Sequence, residues 1–79
     1  MRLDKYLKVS RLIKRRTVAN EACDNERVTV NGRVARASYD VKVGDRISLR
    51  CGQRTVEVEV VSVAEAVKSA DAAALYREI

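Results

Sequence analysis

Basic side chains are dense at the start of this chain, and their chemistry is that of phosphate binding. Seven of them fall within the first sixteen positions: Arg2, Lys5, Lys8, Arg11, Lys14, Arg15 and Arg16. An arginine guanidinium pairs two N–H donors with two phosphate oxygens, whereas a lysine ammonium acts as a point charge. We predict that the segment from Arg2 to Arg16 holds several phosphates of a polyanion at once and positions it without reading bases.

The charge of the chain is unevenly distributed. Residues 1–36 contain ten basic and four acidic side chains, residues 37–79 contain six basic and seven acidic ones, and the net charge is +5. A positive field confined to one part of a small protein attracts nucleic acid, because each neutralised phosphate releases counterions. The alternative is a solvated charged surface that serves only solubility.

The chain lacks the residue types and spacings that metal binding and common kinds of catalysis need. The chain has no histidine, and Cys23 and Cys51 are isolated thiols without CxxC spacing. We therefore expect no metal site, no cofactor and no catalytic residue. The three aromatic residues are all tyrosines, too few to stack successive bases of a single strand, so a structured RNA stem is the favoured ligand. An enzyme or a DNA-binding regulator is the less favoured hypothesis.

Hydrophobic spacing predicts two helices around the basic segment. The first has an apolar stripe and a separate basic face, formed by Leu3, Tyr6 and Leu7 and by Arg2, Lys5 and Lys8, respectively. Ser10 and Arg11 should end it. A second helix should begin near Arg15 or Arg16 and bury an apolar stripe that consists of Val18, Ala19, Ala22 and Cys23. Cys23 is accordingly predicted to be a core residue rather than a reactive thiol.

The pattern then changes to strand alternation. Asn31-Gly32 favours a two-residue hairpin turn between a strand ending at Val30 and one formed by residues 33–35. A turn at Gly44-Asp45 leads into a third strand, and a hairpin at residues 51–53 leads into a fourth in which apolar and polar residues alternate. Residues 62–79 are expected to form a short C-terminal helix capped by Ser69, either packed on the sheet or mobile. The predicted class is α+β, with two N-terminal helices packed on a small antiparallel sheet.

This order of elements comes with a family signature. The matching residues are Arg2-Leu3-Asp4-Lys5-Tyr6-Leu7, Ser10-Arg11-Leu12, Arg15-Arg16-Thr17, Ala19, Ala22, Val28-Thr29-Val30-Asn31-Gly32, Ser38, Val41 and Gly44-Asp45. They resemble the S-four (S4) RNA-binding domain, also described as an alpha-L motif, over about residues 1–61. One departure is Glu26, where the family usually has the glycine that ends the second helix. Asn25 is expected to take the left-handed conformation in its place.

The resemblance also implies which residues bind RNA. Arg2 and Arg16 match family positions associated with RNA contact, while Arg11 and Arg15 have the alternative of pairing with Asp4 or Glu21. Lys8 and Lys14 are either contacts or merely solvated. The remaining candidates are Lys5, Thr17, Asn31, Ser38 and Lys42. Among these, Thr17 is expected rather to cap the second helix, and Asn31 is required first by its turn.

Among stand-alone members, the opening residues 1–17 and the chain length most resemble bacterial ribosome quality-control factors. A cytoplasmic, monomeric protein without a membrane segment is expected, because no apolar run approaches the roughly 18 residues needed to span a membrane. The resemblance adds what the protein binds. It implies binding to obstructed large ribosomal subunits, with contacts to rRNA and to the P-site tRNA. An RqcH-like factor is the implied partner, which adds alanine tails to the stalled chain. The alternative is a heat-shock factor of the same family that recycles free large subunits; it carries a basic C-terminal extension, and the tail of this chain is not basic.

Overall fold

The computed structural model describes residues 1–63 and 75–79. Two helices come first, α1 (Leu3–Val9) and α2 (Arg16–Asp24). Five strands follow them: β1 (Val28–Val30), β2 (Arg33–Val34), β3 (Arg46–Cys51), β4 (Arg54–Val60) and β5 (Tyr76–Glu78). The predicted order of two helices followed by a small antiparallel sheet is confirmed.

The break between the helices lies where the sequence predicts it. Ser10 caps the C-terminus of α1, and Arg11 turns the chain with a φ of 63°. The second helix begins at Arg16, as expected, but the predicted cap at Thr17 is wrong. Arg15 occupies the N-cap position in an extended conformation and no side chain there accepts a capping hydrogen bond. Thr17 is the second residue of the helix, so its hydroxyl lies beyond the position from which a side chain caps.

The end of α2 corrects a second expectation. Glu26 itself adopts the left-handed conformation, with a φ of 59°, while Asn25 stays at a φ of −88°. The N–H of Glu26 donates to the carbonyl of Cys23, and that of Arg27 donates to the carbonyl of Ala22. This pair of hydrogen bonds is the Schellman motif, which requires positive φ at the residue after the C-cap. The motif places that requirement on Glu26 and not on Asn25.

The strands form one antiparallel sheet in the order β2-β1-β3-β4-β5. Val30 pairs with Arg33 across the turn between β1 and β2, where Asn31 and Gly32 have φ values of 54° and 83°. Positive φ at both central residues is the predicted type I′ geometry. The hairpin between β3 and β4 is also as predicted, with Cys51 paired to Arg54.

A single apolar core lies between the helices and one face of the sheet. Its largest fully buried side chains include Tyr6, Leu3, Leu7, Ile47 and Leu75. The predicted stripe of α1 is therefore confirmed, as is the burial of Cys23. Packing this stripe inward leaves the basic residues of the same helix at the surface, which is the condition for phosphate binding.

The C-terminal residues join the sheet. Tyr76–Glu78 pairs with β4, Val60 lying opposite Tyr76, and the hydroxyl of Tyr6 donates to the carbonyl of Leu75 at 2.7 Å. The helix predicted from Ser69 falls largely on residues 64–74, outside the described residues. The expected helix within residues 62–79 is wrong at residues 76–78, which form β5. Pairing with β4 outweighs the helix propensity on which that expectation rested.

Candidate RNA interface

A buried carboxylate organises the basic residues at the start of the chain. The side chain of Asp4 is 3% exposed, whereas those of Arg2 and Arg16 are 53% and 47% exposed. Arg2 donates from Nε to Oδ1 of Asp4 at 3.2 Å, and Arg16 donates from Nε to Oδ2 at 3.3 Å. Asn20 also donates to Oδ2, at 3.5 Å. We call Asp4, Arg2, Arg16 and Asn20 the Asp4 cluster.

The electrostatics of the cluster keep Asp4 ionised. Burial raises the pKa of its carboxyl, but hydrogen bonds from Arg16, the backbone N–H of Lys5, Asn20 and Arg2 lower it by more, so the pKa lies below the ordinary 3.8. A negative charge held between two arginines fixes both guanidinium groups. Because each arginine donates to Asp4 from Nε and remains about half exposed, the rest of its guanidinium is open to a phosphate.

The backbone fixes Arg2 at the edge of the domain. The neighbouring Leu3 N–H donates to the carbonyl of Tyr39 at 2.8 Å, and the Asp4 N–H donates to that of Ala37 at 3.2 Å. Arg2 itself forms an isolated antiparallel bridge with Asp40. The start of α1 is therefore attached to the segment from Ala37 to Asp40, which comes from a distant part of the sequence.

The arginine partners of Asp4 correct the sequence-based expectation. Arg11 and Arg15 were the arginines expected to pair with Asp4 or Glu21. In the structure, Asp4 accepts hydrogen bonds from Arg2 and Arg16 instead. The reason is geometric, since Arg16 is the first residue of α2 and faces α1 across the helix pair. Arg15, at the N-cap, is exposed.

A second group of basic residues lies at the other end of α1. Lys8 is in its last turn, and together with Arg11 and Lys14 it lines a concavity of about 520 Å³. All three side chains are exposed. We call Lys8, Arg11 and Lys14 the loop cluster. Lys5 lies between the two groups on α1 and is half-buried, so the basic residues extend along the whole helix.

The candidates from the sheet fall into two places. Asn31 donates from Nδ2 to Oδ1 of Asp45 at 3.1 Å and accepts the N–H of Arg46 at 3.0 Å, so its side chain holds two turns together. The backbone N–H of Lys42 donates to the same Asp45 at 2.9 Å, which brings Lys42 to this turn and away from the Asp4 cluster. Ser38 is exposed and shares a groove with Arg2.

Sequence reasoning missed Asn20 and Arg36. Asn20 completes the Asp4 cluster, and Arg36 lines the same groove as Arg2 and Ser38. Helical spacing was a signal for Asn20, because it lies one turn after Arg16. Arg36 was counted among the basic residues of positions 1–36, but no sequence pattern marked it as an RNA-binding residue.

Among residues 1–63 and 75–79, no group of three or more His, Cys, Asp or Glu side chains is placed to hold a metal ion. Within the same residues, no helix has the length and apolar character that crossing a membrane requires.

Comparison with known proteins places this architecture. Residues 1–47 match the S4 domain. The chain is 57% identical over 76 residues to a protein of Halalkalibacterium halodurans, covering 96% of this chain and 86% of that one. It is 53% identical to a protein of Bacillus subtilis, covering 96% and 88%. Both relatives are named RQC P-site tRNA stabilizing factor.

Proteins of the heat-shock type are more distant. A heat shock protein 15 homolog of Haemophilus influenzae is 32% identical, and the match covers 99% of this chain but 60% of that protein. The trimeric structure of Vibrio cholerae heat shock protein 15 superposes with a TM-score of 0.92 at 31% identity, covering 100% of this chain and 81% of that one. The S4 resemblance predicted from the sequence is thus confirmed by family, relatives and fold, and the chain belongs to the S4 domain family.

Proposed function

We propose that this chain binds the large ribosomal subunit during ribosome quality control and stabilises the tRNA in the P site. The observation that carries the proposal is the Asp4 cluster, in which a buried carboxylate orients two half-exposed arginines at one surface. Such groups bind phosphate with little loss of side-chain entropy, because their orientation exists before binding. Stabilising a tRNA requires binding energy rather than bond chemistry, and this surface supplies it without a catalytic residue.

The proposed partners follow from this role. The Asp4 cluster lies at the start of α1 and the loop cluster at its end, so the chain can contact rRNA and the P-site tRNA through neighbouring parts of one surface. An RqcH-like factor is the proposed companion on the obstructed subunit, where it adds alanine to the stalled chain. The proposed location is the cytoplasm, where ribosomes work.

The relatives favour this function over the heat-shock alternative. Three proteins named RQC P-site tRNA stabilizing factor are 51–57% identical to this chain and are matched over 86–90% of their length. The heat shock protein 15 homolog is 32% identical and is matched over 60% of its length. The shared fold is common to both groups and does not separate them.

We propose that the chain acts as a monomer. Its helices and sheet already enclose a core, and the exposed large apolar side chains among the described residues are spread along the chain: Val18, Val34, Val43, Val61 and Ile79. Isolated exposed apolar side chains are normal for a monomer. Light scattering during gel filtration tests this, and a stable trimer would contradict it.

Sedimentation of the tagged full-length protein from cells tests the function. We expect it to migrate with large subunits that carry tRNA, and to be lost from that fraction when Arg16 is changed to Ala. The Arg54→Ala variant is the matched control, since it removes an exposed arginine at the far hairpin. The proposal fails if the wild-type protein stays at the top of the gradient, or if it sediments only with free large subunits that lack tRNA. Loss of alanine tails in cells without this protein is the second expected result.

A further inference from the structure

A groove beside the first hairpin is a second place at which the domain can take RNA. It has a volume of about 650 Å³, and the residues that line it include Arg33, Val34, Ala35, Arg36, Ser38 and Tyr39. This volume is in the range of sites that accept small organic ligands. We call it the hairpin groove.

The charge of the hairpin groove favours an anion. Arg33 and Arg36 are both exposed, and none of the lining residues that belong to the described part of the chain is acidic. A neighbouring groove shares Val34, Ala35, Arg36 and Ser38 with it and also includes Arg2. The two grooves are therefore adjacent, and together they line the surface between the Asp4 cluster and the hairpin.

The far side of the neighbouring groove limits where a phosphate backbone can lie. Asp24 and Glu26 also line that groove, and their negative charges repel phosphate. A strand that leaves Arg2 is favoured along the side formed by Arg36 and Ser38, which leads into the hairpin groove.

The hairpin groove also offers an apolar surface. Val34 is 56% exposed, and Tyr39 is half-buried, with its hydroxyl donating to Oδ2 of Asp45 at 3.0 Å. That hydrogen bond fixes the ring in one orientation. An apolar and aromatic surface beside two arginines suits a nucleotide, whose ribose or base packs on the surface while its phosphates meet the guanidinium groups.

The groove is rigid before any ligand arrives. The Ala35 N–H donates to the carbonyl of Val28 at 3.1 Å, and the Tyr39 N–H donates to that of Arg36 at 3.0 Å. The hydrogen bond from Asp4 to Ala37 attaches the same segment to α1. A preformed groove loses little conformational entropy when it is filled.

We propose that the hairpin groove binds an RNA strand, with phosphates at Arg33 and Arg36 and a ribose or base against Val34 and Tyr39. This inference rests on the proposed function, because it extends the same RNA interface past Arg2. It adds two arginines that helix-based contacts do not include, and it makes the interface continuous from α1 to the first hairpin.

Binding of the full-length protein to purified large subunits that carry P-site peptidyl-tRNA, measured across a series of salt concentrations, tests the groove. The variant is Arg33→Gln with Arg36→Gln. Its matched control is Arg50→Gln with Arg54→Gln, which removes the same charge from exposed positions near the other hairpin. We expect the groove variant to bind roughly tenfold more weakly and to lower the steepness of log K against log salt by about 1 to 2, as for the loss of one or two phosphate contacts. The control should leave that steepness unchanged.

The possible results distinguish failure of the groove hypothesis from failure of the proposed function. Equal effects of the two variants would overturn the groove, because the loss would then come from net charge alone. Binding by wild type and by the groove variant with the same salt dependence would also overturn it, while leaving the proposed function intact. Failure of the wild-type protein to bind would overturn both. A photo-crosslinker in place of Val34 should attach to RNA; attachment only to a ribosomal protein would contradict the groove's proposed ligand.

Discussion

Arg16 donates from Nε to Oδ2 of Asp4 at 3.3 Å, joining the first residue of α2 to a buried carboxylate on α1. The contact has two consequences at once. It offsets the burial of a negative charge beside a largely apolar core, and it fixes the direction of a guanidinium whose side chain is 47% exposed. Stability and the proposed RNA binding are therefore coupled through one ion pair.

Replacing Arg16 with Lys should show whether binding to large subunits needs the planar guanidinium or only a positive charge. A lysine ammonium carries its three donors on one nitrogen and has no planar fork, so it cannot present one fixed edge to Asp4 and a second fixed edge to a phosphate. We expect Arg16→Lys to bind large subunits roughly tenfold more weakly, equivalent to about 1.4 kcal/mol, while the free energy of unfolding falls by less than about 1 kcal/mol. Binding assays and thermal denaturation measure the two effects. Wild-type affinity in Arg16→Lys would show that charge alone suffices.

Asp4 should make the stability of the domain dependent on acid pH. Because its folded-state pKa is lowered from 3.8, folding favours the ionised carboxylate. The resulting stabilisation is present above pH 3.8 and is lost as pH falls through the lower folded pKa. At neutral pH, Asp4→Asn should reduce the free energy of unfolding by about 1 to 3 kcal/mol.

The test of the acid dependence is a comparison of denaturant unfolding at several pH values. The difference between wild type and Asp4→Asn should be constant from pH 7 to about 5 and should shrink below pH 3.8. Asp40, whose pKa is lowered by a hydrogen bond from the amino terminus, is unchanged in both proteins and drops out of the comparison. A constant difference at all pH values would show that Asp4 is not ionised against its arginines.

The sequence predicted the elements whose signals are local. Helical spacing of apolar residues indicated the buried stripe of Leu3, Tyr6 and Leu7, and Asn31-Gly32 indicated a turn that needs positive φ at both positions. These features depend on neighbours along the chain, so they can be recognised without knowing the fold.

The features that the sequence did not predict depend on contacts between distant residues. Asp4 is buried because Arg16 and Asn20 reach it from α2, and nothing in residues 1–9 indicates that. Residues 76–78 form a strand because β4 offers an unpaired edge, although the preceding alanines favour helix. The same limitation explains why Arg36 was missed, since its groove is formed by segments that meet only in the folded domain.

Replacing Glu26 with Gly should stabilise the domain. Glu26 has a φ of 59°, and a side chain in this region costs about 1 to 2 kcal/mol that glycine avoids. After the greater entropy of glycine in the unfolded chain is subtracted, we expect a net gain of about 0.5 to 1 kcal/mol. Asn25→Gly is the matched control: its φ of −88° brings no relief, so that variant should lose stability. Chemical denaturation of the two variants decides which residue carries the left-handed conformation, and a gain in Asn25→Gly alone would contradict the structure.

The two thiols should differ sharply in reactivity. Cys23 is 3% exposed, and burial, followed by the nearby charges of Asp4 and Asp24, raises the pKa of its thiol to about 11. Cys51 lies exposed at the end of β3. Because the thiolate is the reacting species, a thiol reagent at pH 8 should modify one cysteine per folded chain quickly and the second only on unfolding. Cys51→Ser should remove the fast reaction and leave the slow one. Rapid modification of that variant under native conditions would mean that α2 opens readily, and the Asp4 cluster, which depends on Arg16 and Asn20 of α2, would then be equally transient.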